Sequence, residues 1–95
     1  MDNEVRLVME LAEKGSAEAQ HTLGLMYRSG EGVDVNLEDA VTWLKKAAKQ
    51  NYAEAQYELG NIYYNGVDDI PKDAEQAVFW YAKAVIQENA NAKTD

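Results

Sequence analysis

The chain has 95 residues, of which 46% are hydrophobic, and its 17 acidic residues outnumber the nine basic ones to give a net charge of −8. A chain of this length forms one small domain, and its hydrophobic content is too high for disorder. The acidity excludes nucleic acid and anionic membranes as partners, because phosphate binding depends on clustered Lys and Arg. Cysteine is absent, and no apolar run approaches the roughly 20 residues of a membrane helix, so we expect a cytoplasmic protein.

The first predicted helix, at residues 4–14, has one apolar stripe along its length. The stripe consists of Val5, Val8, Leu11 and Ala12. Gly15 suits the left-handed residue that ends a helix, as does Asn51 after a later helix, and Ser16 suits the N-cap of the next helix. We therefore interpret residues 1–15 as a capping helix that seals the N-terminal end of the structure.

The rest of the chain contains an internal repeat. Residues 17–30, AEAQHTLGLMYRSG, align with 53–66, AEAQYELGNIYYNG, at an offset of 36, with eight of 14 positions identical. Chance would give about one match, so the repeat reflects duplication of a structural unit. A later block repeats at an offset of 37: Glu38, Ala40, Val41, Trp43, Lys46, Ala47 and Gln50 match Glu75, Ala77, Val78, Trp80, Lys83, Ala84 and Gln87. The extra residue must lie between Gly66 and Asp73, in a connection that tolerates an insertion.

Each repeat is predicted to form two helices, because apolar residues recur at helical spacing in both of its halves. With the capping helix, the expected helices lie near residues 4–14, 17–29, 37–49, 53–65 and 74–88. The units comprise residues 16–51 and 52–88, followed by a polar, helix-ending tail at 89–95. Asn36 and Asp73 are suitable N-caps for the second helices. Gly24 and Gly60 lie inside helices, where glycine costs about 1 kcal/mol against alanine, so we predict a closely approaching neighbour helix at both.

A unit with A-x-A-x3-LG-x2-Y-x2-G followed by A-x2-W-x3-A resembles the Sel1-like repeat, a relative of the tetratricopeptide repeat. The first unit matches at Ala19, Leu23, Gly24, Tyr27, Gly30, Gly32, Val33, Ala40, Trp43, Lys46 and Ala47. The second unit matches at Ala55, Leu59, Gly60, Tyr63, Gly66, Ala77, Trp80, Lys83 and Ala84. The resemblance implies an all-α, right-handed superhelix, or solenoid, of two helix-turn-helix repeats. It also implies an adaptor that holds another protein in a concave groove. The second unit departs from the family pattern at Val67-Asp68-Asp69, so we expect that connection to differ in shape.

In the related folds the first helix of each unit lines the concave face, and four positions on each such helix project away from the structural stripe. They are Glu18, His21, Leu25 and Arg28 in the first unit, and Glu54, Tyr57, Asn61 and Tyr64 in the second. Three of the four pairs differ between the units, as a binding surface would, although an ordinary solvated surface would differ equally. Tyrosine, arginine and leucine on an open face are typical of an interface core, so we predict a protein or peptide partner here.

The last predicted helix carries apolar residues that no third repeat covers. These residues are Val78, Phe79, Tyr81, Val85 and Ile86. Phe79 stands where the first unit has the polar Thr42. Three alternatives account for this face: a homodimer through the C-terminal helix, a docked partner, or continuation of the chain in a longer protein. We favour one of the first two.

No catalytic residue, metal ligand or cofactor is predicted. His21 is the single histidine and has no cysteine to accompany it, so neither a zinc site nor a Cys/His nucleophile can form. A calcium-loop-like start at Asp34 fails because Asp39 replaces the required glycine and Lys45 the required glutamate. We therefore predict a non-enzymatic protein-interaction module of bacterial origin. The alternative is a small acidic inhibitor or immunity protein that neutralises a basic toxin or enzyme, which the net charge would favour.

Overall fold

The five predicted helices are all present in the computed structural model, which describes residues 3–67 and 69–93, with side chains to residue 89. They are α1 (Asn3–Glu13), α2 (Ala17–Ser29), α3 (Leu37–Ala48), α4 (Ala53–Asn65) and α5 (Ala74–Lys93). Consecutive helices pack against each other in chain order, and the molecule measures 38 × 36 × 16 Å. This is the predicted solenoid of two helical pairs preceded by one helix. No helix in the described part is long and apolar enough to cross a membrane.

The helix ends are set by local capping, as the sequence predicts. The side chains of Ser16, Asn36 and Asp73 each accept a hydrogen bond from the backbone N–H three residues later, at 3.2, 3.0 and 3.1 Å. These bonds satisfy amides that have no partner within the helix. Gly15 and Asn51 adopt the left-handed conformation, with φ of 104° and 64°, at the ends of α1 and α3. The turns that separate the helices are therefore encoded by single residues.

The core consists of two clusters, one shared by α3, α4 and α5 and one between α1 and α2, and it is built largely of leucine and alanine. Leu23, Leu44 and Leu59 are each at most 1% exposed. Alanines occupy most of the remaining buried positions, at Ala12, Ala19, Ala40, Ala47, Ala48, Ala55, Ala77 and Ala84. Trp80 is also buried, whereas Trp43 is only half-buried and packs against the cluster between α1 and α2. Small side chains let the helix backbones approach closely, which a thin molecule needs to exclude water from its interior.

Gly24 and Gly60 lie where a neighbouring helix leaves no room for a side chain, which confirms the prediction of close approach. A Cβ on Gly24 would lie 2.7 Å from Leu44 Cγ and 3.1 Å from the carbonyl oxygen of Ala40, both on α3. A Cβ on Gly60 would lie 2.6 Å from two ring atoms of Tyr81 on α5. Each glycine thus allows the first helix of a unit to contact the second.

Two equivalent glutamines connect each unit to the helix before it. Gln20 Nε2 donates to the carbonyl oxygen of Ala12, and Gln56 Nε2 donates to that of Ala48, both at 3.0 Å. The acceptors are among the last carbonyls of α1 and α3, which have no partner within their own helices. Both glutamines are at most 5% exposed. The repeated AEAQ sequence therefore supplies a buried hydrogen bond that fixes how successive units stack.

The C-terminal helix extends further than predicted. We expected it to end at residue 88 and a polar tail to follow, but α5 continues to Lys93. The turn after α3 uses Asn51 with a positive φ, whereas the equivalent position 37 residues later is Glu88, which disfavours that conformation. Alanines at 90 and 92 then favour helix continuation. Residues 94 and 95 of the predicted tail, and residues 1 and 2 of the capping segment, lie outside the described residues.

The connection within the second unit differs from that in the first, as expected. Val67 and Ile70 form an isolated antiparallel bridge, with N–H to carbonyl distances of 2.9 and 2.7 Å in the two directions. Asp68 of the predicted departure from the family pattern lies outside the described residues. Both connections nevertheless finish in the same way, because Asn36 donates to the Tyr27 carbonyl and Asp73 to the Tyr63 carbonyl. The extra residue is thus absorbed within the loop.

Candidate partner-binding cleft

The first helices of the two units, α2 and α4, together form the main part of an open cleft of about 440 Å³. Its lining residues are His21 and Leu25 of α2, Glu54, Tyr57, Glu58 and Asn61 of α4, and Glu88 of α5. Five of these belong to the eight residues predicted for the concave face: His21, Leu25, Glu54, Tyr57 and Asn61. The helical spacing therefore selects residues from two separate helices that converge on one depression.

The other three predicted residues lie beside the cleft. Arg28 Nη1 donates to Glu58 Oε2 at 2.8 Å, in an ion pair that joins α2 to α4. Arg28 also lines a neighbouring hollow together with His21 and Leu25. Glu18 and Tyr64 are exposed and do not line the cleft. The ion pair is partly exposed at both ends, so it orients Glu58 at the cleft edge more than it stabilises the fold.

Tyr57 lines the cleft, and its ring packs against that of Tyr81, which lies outside the lining. Their ring centroids are 5.6 Å apart with an interplanar angle of 89°, the favoured edge-to-face arrangement. The Tyr81 hydroxyl donates to Asn61 Oδ1. Burial raises the pKa of Tyr81, and the nearby Tyr57 and Tyr64 raise it further. The Tyr81 ring is thus a fixed support beneath two lining residues.

The prediction that Tyr81 belongs to the uncovered face of the last helix is therefore wrong. Its ring packs against Gly60 of α4 and the side chain is half-buried, unlike the other four residues of that set. Val78, Phe79, Val85 and Ile86 are exposed as predicted, at 66, 51, 57 and 67%. The two sets of residues lie on different sides of α5.

Tyr52 does not line the cleft but contacts two residues that do, one from each unit. Its ring lies 5.3 Å from that of His21, and its hydroxyl donates to Glu54 Oε2 at 3.2 Å. Burial raises the pKa of Tyr52, and the negative charges of Glu54 and Glu18 raise it further. Sequence reasoning missed Tyr52, although its equivalent in the first unit is Ser16, and this difference between the units was an available signal.

Three carboxylates, those of Glu54, Glu58 and Glu88, line the cleft. Among the described residues Arg28 with Glu58 is the one ion pair, so neither Glu54 nor Glu88 has a cation as partner. Glu58 was missed because its equivalent, Thr22, gave no sign of function. Glu88 was missed because it belongs to a second helix and lies at the predicted helix end. The described residues contain no group of three or more potential ligands able to hold a metal ion.

A family model described as the Sel1 repeat matches residues 17–52 and 53–89. The chain belongs to the Sel1 repeat family. Over 86 residues it is 35% identical to an uncharacterized protein of Neisseria meningitidis serogroup B, a match that covers 90% of the chain and 17% of that protein. It is 33% identical to chitin synthase regulatory factor 3 of Schizosaccharomyces pombe over 94 residues, or 97% of the chain and 10% of the relative.

The fold is shared with a solved structure of the same family. A protective antigen of uropathogenic Escherichia coli with an SLR fold superposes with a TM-score of 0.84 at 33% identity, over 93% of this chain and 19% of that one. The chain thus spans between 10 and 19% of the length of these three Sel1 repeat proteins. Sel1 repeats form a non-catalytic fold that generally mediates protein–protein interaction. The family resemblance drawn from the sequence is confirmed.

Proposed function

We propose that this chain is a protein-interaction module whose cleft between α2 and α4 binds a peptide segment of a partner protein. The segment would carry an arginine or lysine beside apolar side chains. The observation that carries the proposal is the composition of the cleft, which combines an exposed tyrosine with carboxylates that have no cation partner among the described residues. Aromatic anchors surrounded by complementary charge are the usual centres of protein interfaces.

The apolar part of the segment would contact Tyr57 and Leu25. Tyr57 is 48% exposed although its ring is fixed by Tyr81, so it presents a rigid surface that loses little entropy on binding. Leu25 is half-buried on the facing helix, so an inserted side chain would contact both units at once. The proposed site would therefore depend on the packing of both units against each other.

The basic residue of the segment would lie near Glu54 and Glu88. These carboxylates enter the cleft from α4 and α5, and a cation between them would relieve the repulsion of like charges. Arginine fits best, because its planar guanidinium can pair with a carboxylate and stack on Tyr57. The Arg28–Glu58 ion pair keeps the third carboxylate oriented at the cleft edge.

Peptide selection would test the proposal directly. Random peptides displayed on phage would be selected on the folded chain, and the bound position of an enriched peptide would be mapped by NMR chemical-shift changes. Tyr57→Ala should weaken binding at least about tenfold, the effect of losing one anchor residue. Tyr64→Ala is the matched control, because Tyr64 is a more exposed tyrosine of the same helix outside the cleft. Equal losses in both variants, or shift changes away from the cleft, would refute this site.

A second candidate is a small acidic inhibitor of a basic protein, which the net charge of −8 favours. The two functions differ in where the charge acts. A cleft that binds a basic side chain should lose affinity in Glu54→Gln/Glu88→Gln and depend only modestly on salt. An inhibitor that uses its whole surface should tolerate that double variant, whereas its association rate should collapse when salt screens long-range attraction.

A further inference from the structure

Five residues form an exposed apolar stripe on α5, on the side that faces neither α4 nor the cleft. They are Val78, Phe79, Ala82, Val85 and Ile86, and we call them the α5 seam. The four larger side chains are each more than half exposed. A contiguous exposed apolar stripe of this kind is typical of an interaction surface, and comparison with the equivalent helix α3 indicates what could cover it.

The equivalent face of α3 shows what a following unit would cover. Lys45 and Ala48 of α3 contact the next first helix, α4, and Val41 lies on the same face of α3. Val41 packs against the core cluster that α4 shares, Lys45 Nζ lies 5.8 Å from the Tyr63 ring centroid, and the Ala48 carbonyl accepts the Gln56 amide. At an offset of 37 these positions become Val78, Ala82 and Val85. A following Sel1 unit could therefore cover these three residues of the α5 seam.

The other two seam residues do not fit that explanation. Phe79 and Ile86 correspond to Thr42 and Lys49 of α3, which are polar and exposed to solvent although α4 is in place. A further unit packed as α4 packs on α3 would therefore leave both apolar side chains in water. The α5 seam is wider than the face that a Sel1 first helix covers, so its occupant packs differently.

The spacing of the seam is that of a helix pairing with its own copy. Glu75, Val78, Ala82, Val85 and Asn89 follow each other at intervals of three, four, three and four residues, the a/d pattern of a coiled coil. The seam is also symmetric about Ala82, with bulky apolar residues three and four positions away on each side. A twofold axis through Ala82 therefore superposes apolar positions on apolar positions.

We infer that the α5 seam pairs in antiparallel orientation with the same seam of a second copy of this chain. Val78 then packs against Ile86 of the other copy, and Phe79 against Val85, while the small Ala82 lets the helices approach at the axis. Glu75 lies opposite Asn89 of the other copy, whereas a parallel pair would place Glu75 against Glu75. Antiparallel pairing therefore avoids a like-charge contact.

The dimer should be weak and should leave the clefts open. Five seam residues a copy are few beside the roughly 20–30 a side of a stable interface, so we expect association in the micromolar to millimolar range. Glu88 and Tyr81 lie on a different side of α5 from the seam, so both clefts remain accessible. A dimer would thus present two clefts and gain avidity for a partner with two matching segments.

Sedimentation equilibrium over about 10 μM to about 1 mM, the range of a weak interface, tests the pairing. The wild-type mass should rise toward that of a dimer with concentration. Phe79→Thr/Ile86→Lys installs the residues that α3 carries at the equivalent positions, so the fold is retained, and it should raise the dissociation constant at least about tenfold. Leu7→Lys on α1, at an apolar residue 55% exposed, is the matched control and should leave the constant unchanged.

Cysteine cross-linking tests the register, because the chain contains no cysteine of its own. Oxidation with diamide should link Ala82→Cys to itself across the axis and should link Val78→Cys to Ile86→Cys only when the two variants are mixed. A wild-type chain that remains monomeric up to the highest concentration would overturn the inference. So would a dimer that Phe79→Thr/Ile86→Lys leaves unchanged, or self-linking of Val78→Cys with none at Ala82→Cys.

Discussion

Gly24 offers a sharp test of the helix packing, because it lies against Leu44 of the neighbouring helix. We predict that Gly24→Ala destabilises the protein although alanine is the better helix former. The new Cβ would lie 2.7 and 2.9 Å from Leu44 Cγ and Cδ2 and 3.1 Å from the Ala40 carbonyl oxygen. Leu44 is fully buried, and a backbone carbonyl cannot turn away, so the helices must separate.

The magnitude follows from two opposing effects. Removing glycine from a helix interior gains about 1 kcal/mol. Overpacking a well-filled core costs about 1–3 kcal/mol, and the immobile neighbours of Gly24 place the cost near the upper limit. The free energy of unfolding should therefore fall by about 2 kcal/mol, which for a domain of this size corresponds to a melting temperature lower by roughly 8–16 °C.

Urea unfolding followed by far-UV circular dichroism would measure this change. Thr42→Ala is the control for helix propensity, because Thr42 is exposed on α3, and it should alter stability by no more than about 0.5 kcal/mol. The Leu44→Ala background supplies the decisive comparison. That substitution alone should cost about 2–5 kcal/mol, and it removes the two nearest of the three atoms that the new Cβ would meet, leaving the Ala40 carbonyl oxygen at 3.1 Å. With the Leu44 contacts gone, the gain of about 1 kcal/mol in helix propensity should offset most of the remaining cost, so Gly24→Ala should change the free energy of unfolding by less than about 1 kcal/mol in this background. A destabilising effect of similar size in both backgrounds would refute the collision.

Three further predictions concern single interactions. Because burial, Glu54 and Glu18 raise the pKa of Tyr52, its neutral form is favoured in the folded state. The resulting stability is fully present below the ordinary tyrosine pKa of 10.0 and is lost as the pH rises through the folded-state pKa. Glu54→Gln should lower that pKa in an ultraviolet titration corrected with Tyr52→Phe, and an unchanged pKa would contradict the assigned contact. Arg28→Met breaks a partly exposed ion pair with Glu58. The resulting loss in the free energy of unfolding, measured with urea, should stay below about 1 kcal/mol and shrink in high salt. A larger loss would show that the pair holds the units together. Ser16→Ala removes the cap of α2 and should cost about 1 kcal/mol in the same assay, whereas no loss would mean that the cap bond is not formed in solution.

The helices and their boundaries were predictable because their signals are local. N-caps, left-handed residues and helical spacing act within a few residues, so a single sequence reveals them, and the repeat offset revealed the loop insertion as well. The exception was the end of α5, where the absence of a turn residue at Glu88 had to be recognised by comparison with Asn51. An overlooked turn position, and not a tertiary contact, caused that error.

The candidate cleft was only partly predictable, because its members come from three helices. Helical spacing identified Tyr57 and Asn61, which share one face of α4. The same reasoning could not find Glu88, since nothing local shows that the end of α5 reaches the cleft. It also assigned Tyr81 to the wrong side of α5, because the run at 77–82 contains no polar residue to mark which of its side chains faces α4.

The sequence by itself determined the repeat, the family, the helices and the glycines at which helices meet, because each depends on short-range preferences repeated in two copies. Tertiary structure decided which exposed residues converge. The packing of α5 on α4 places Tyr81 beneath Tyr57 and leaves the α5 seam uncovered. This could not be read from the sequence, because the rotation of a helix about its own axis is fixed by the surface that it contacts. The buried bonds from Gln20 and Gln56 set the stacking of the units, and they too exist only once distant carbonyls are brought within reach.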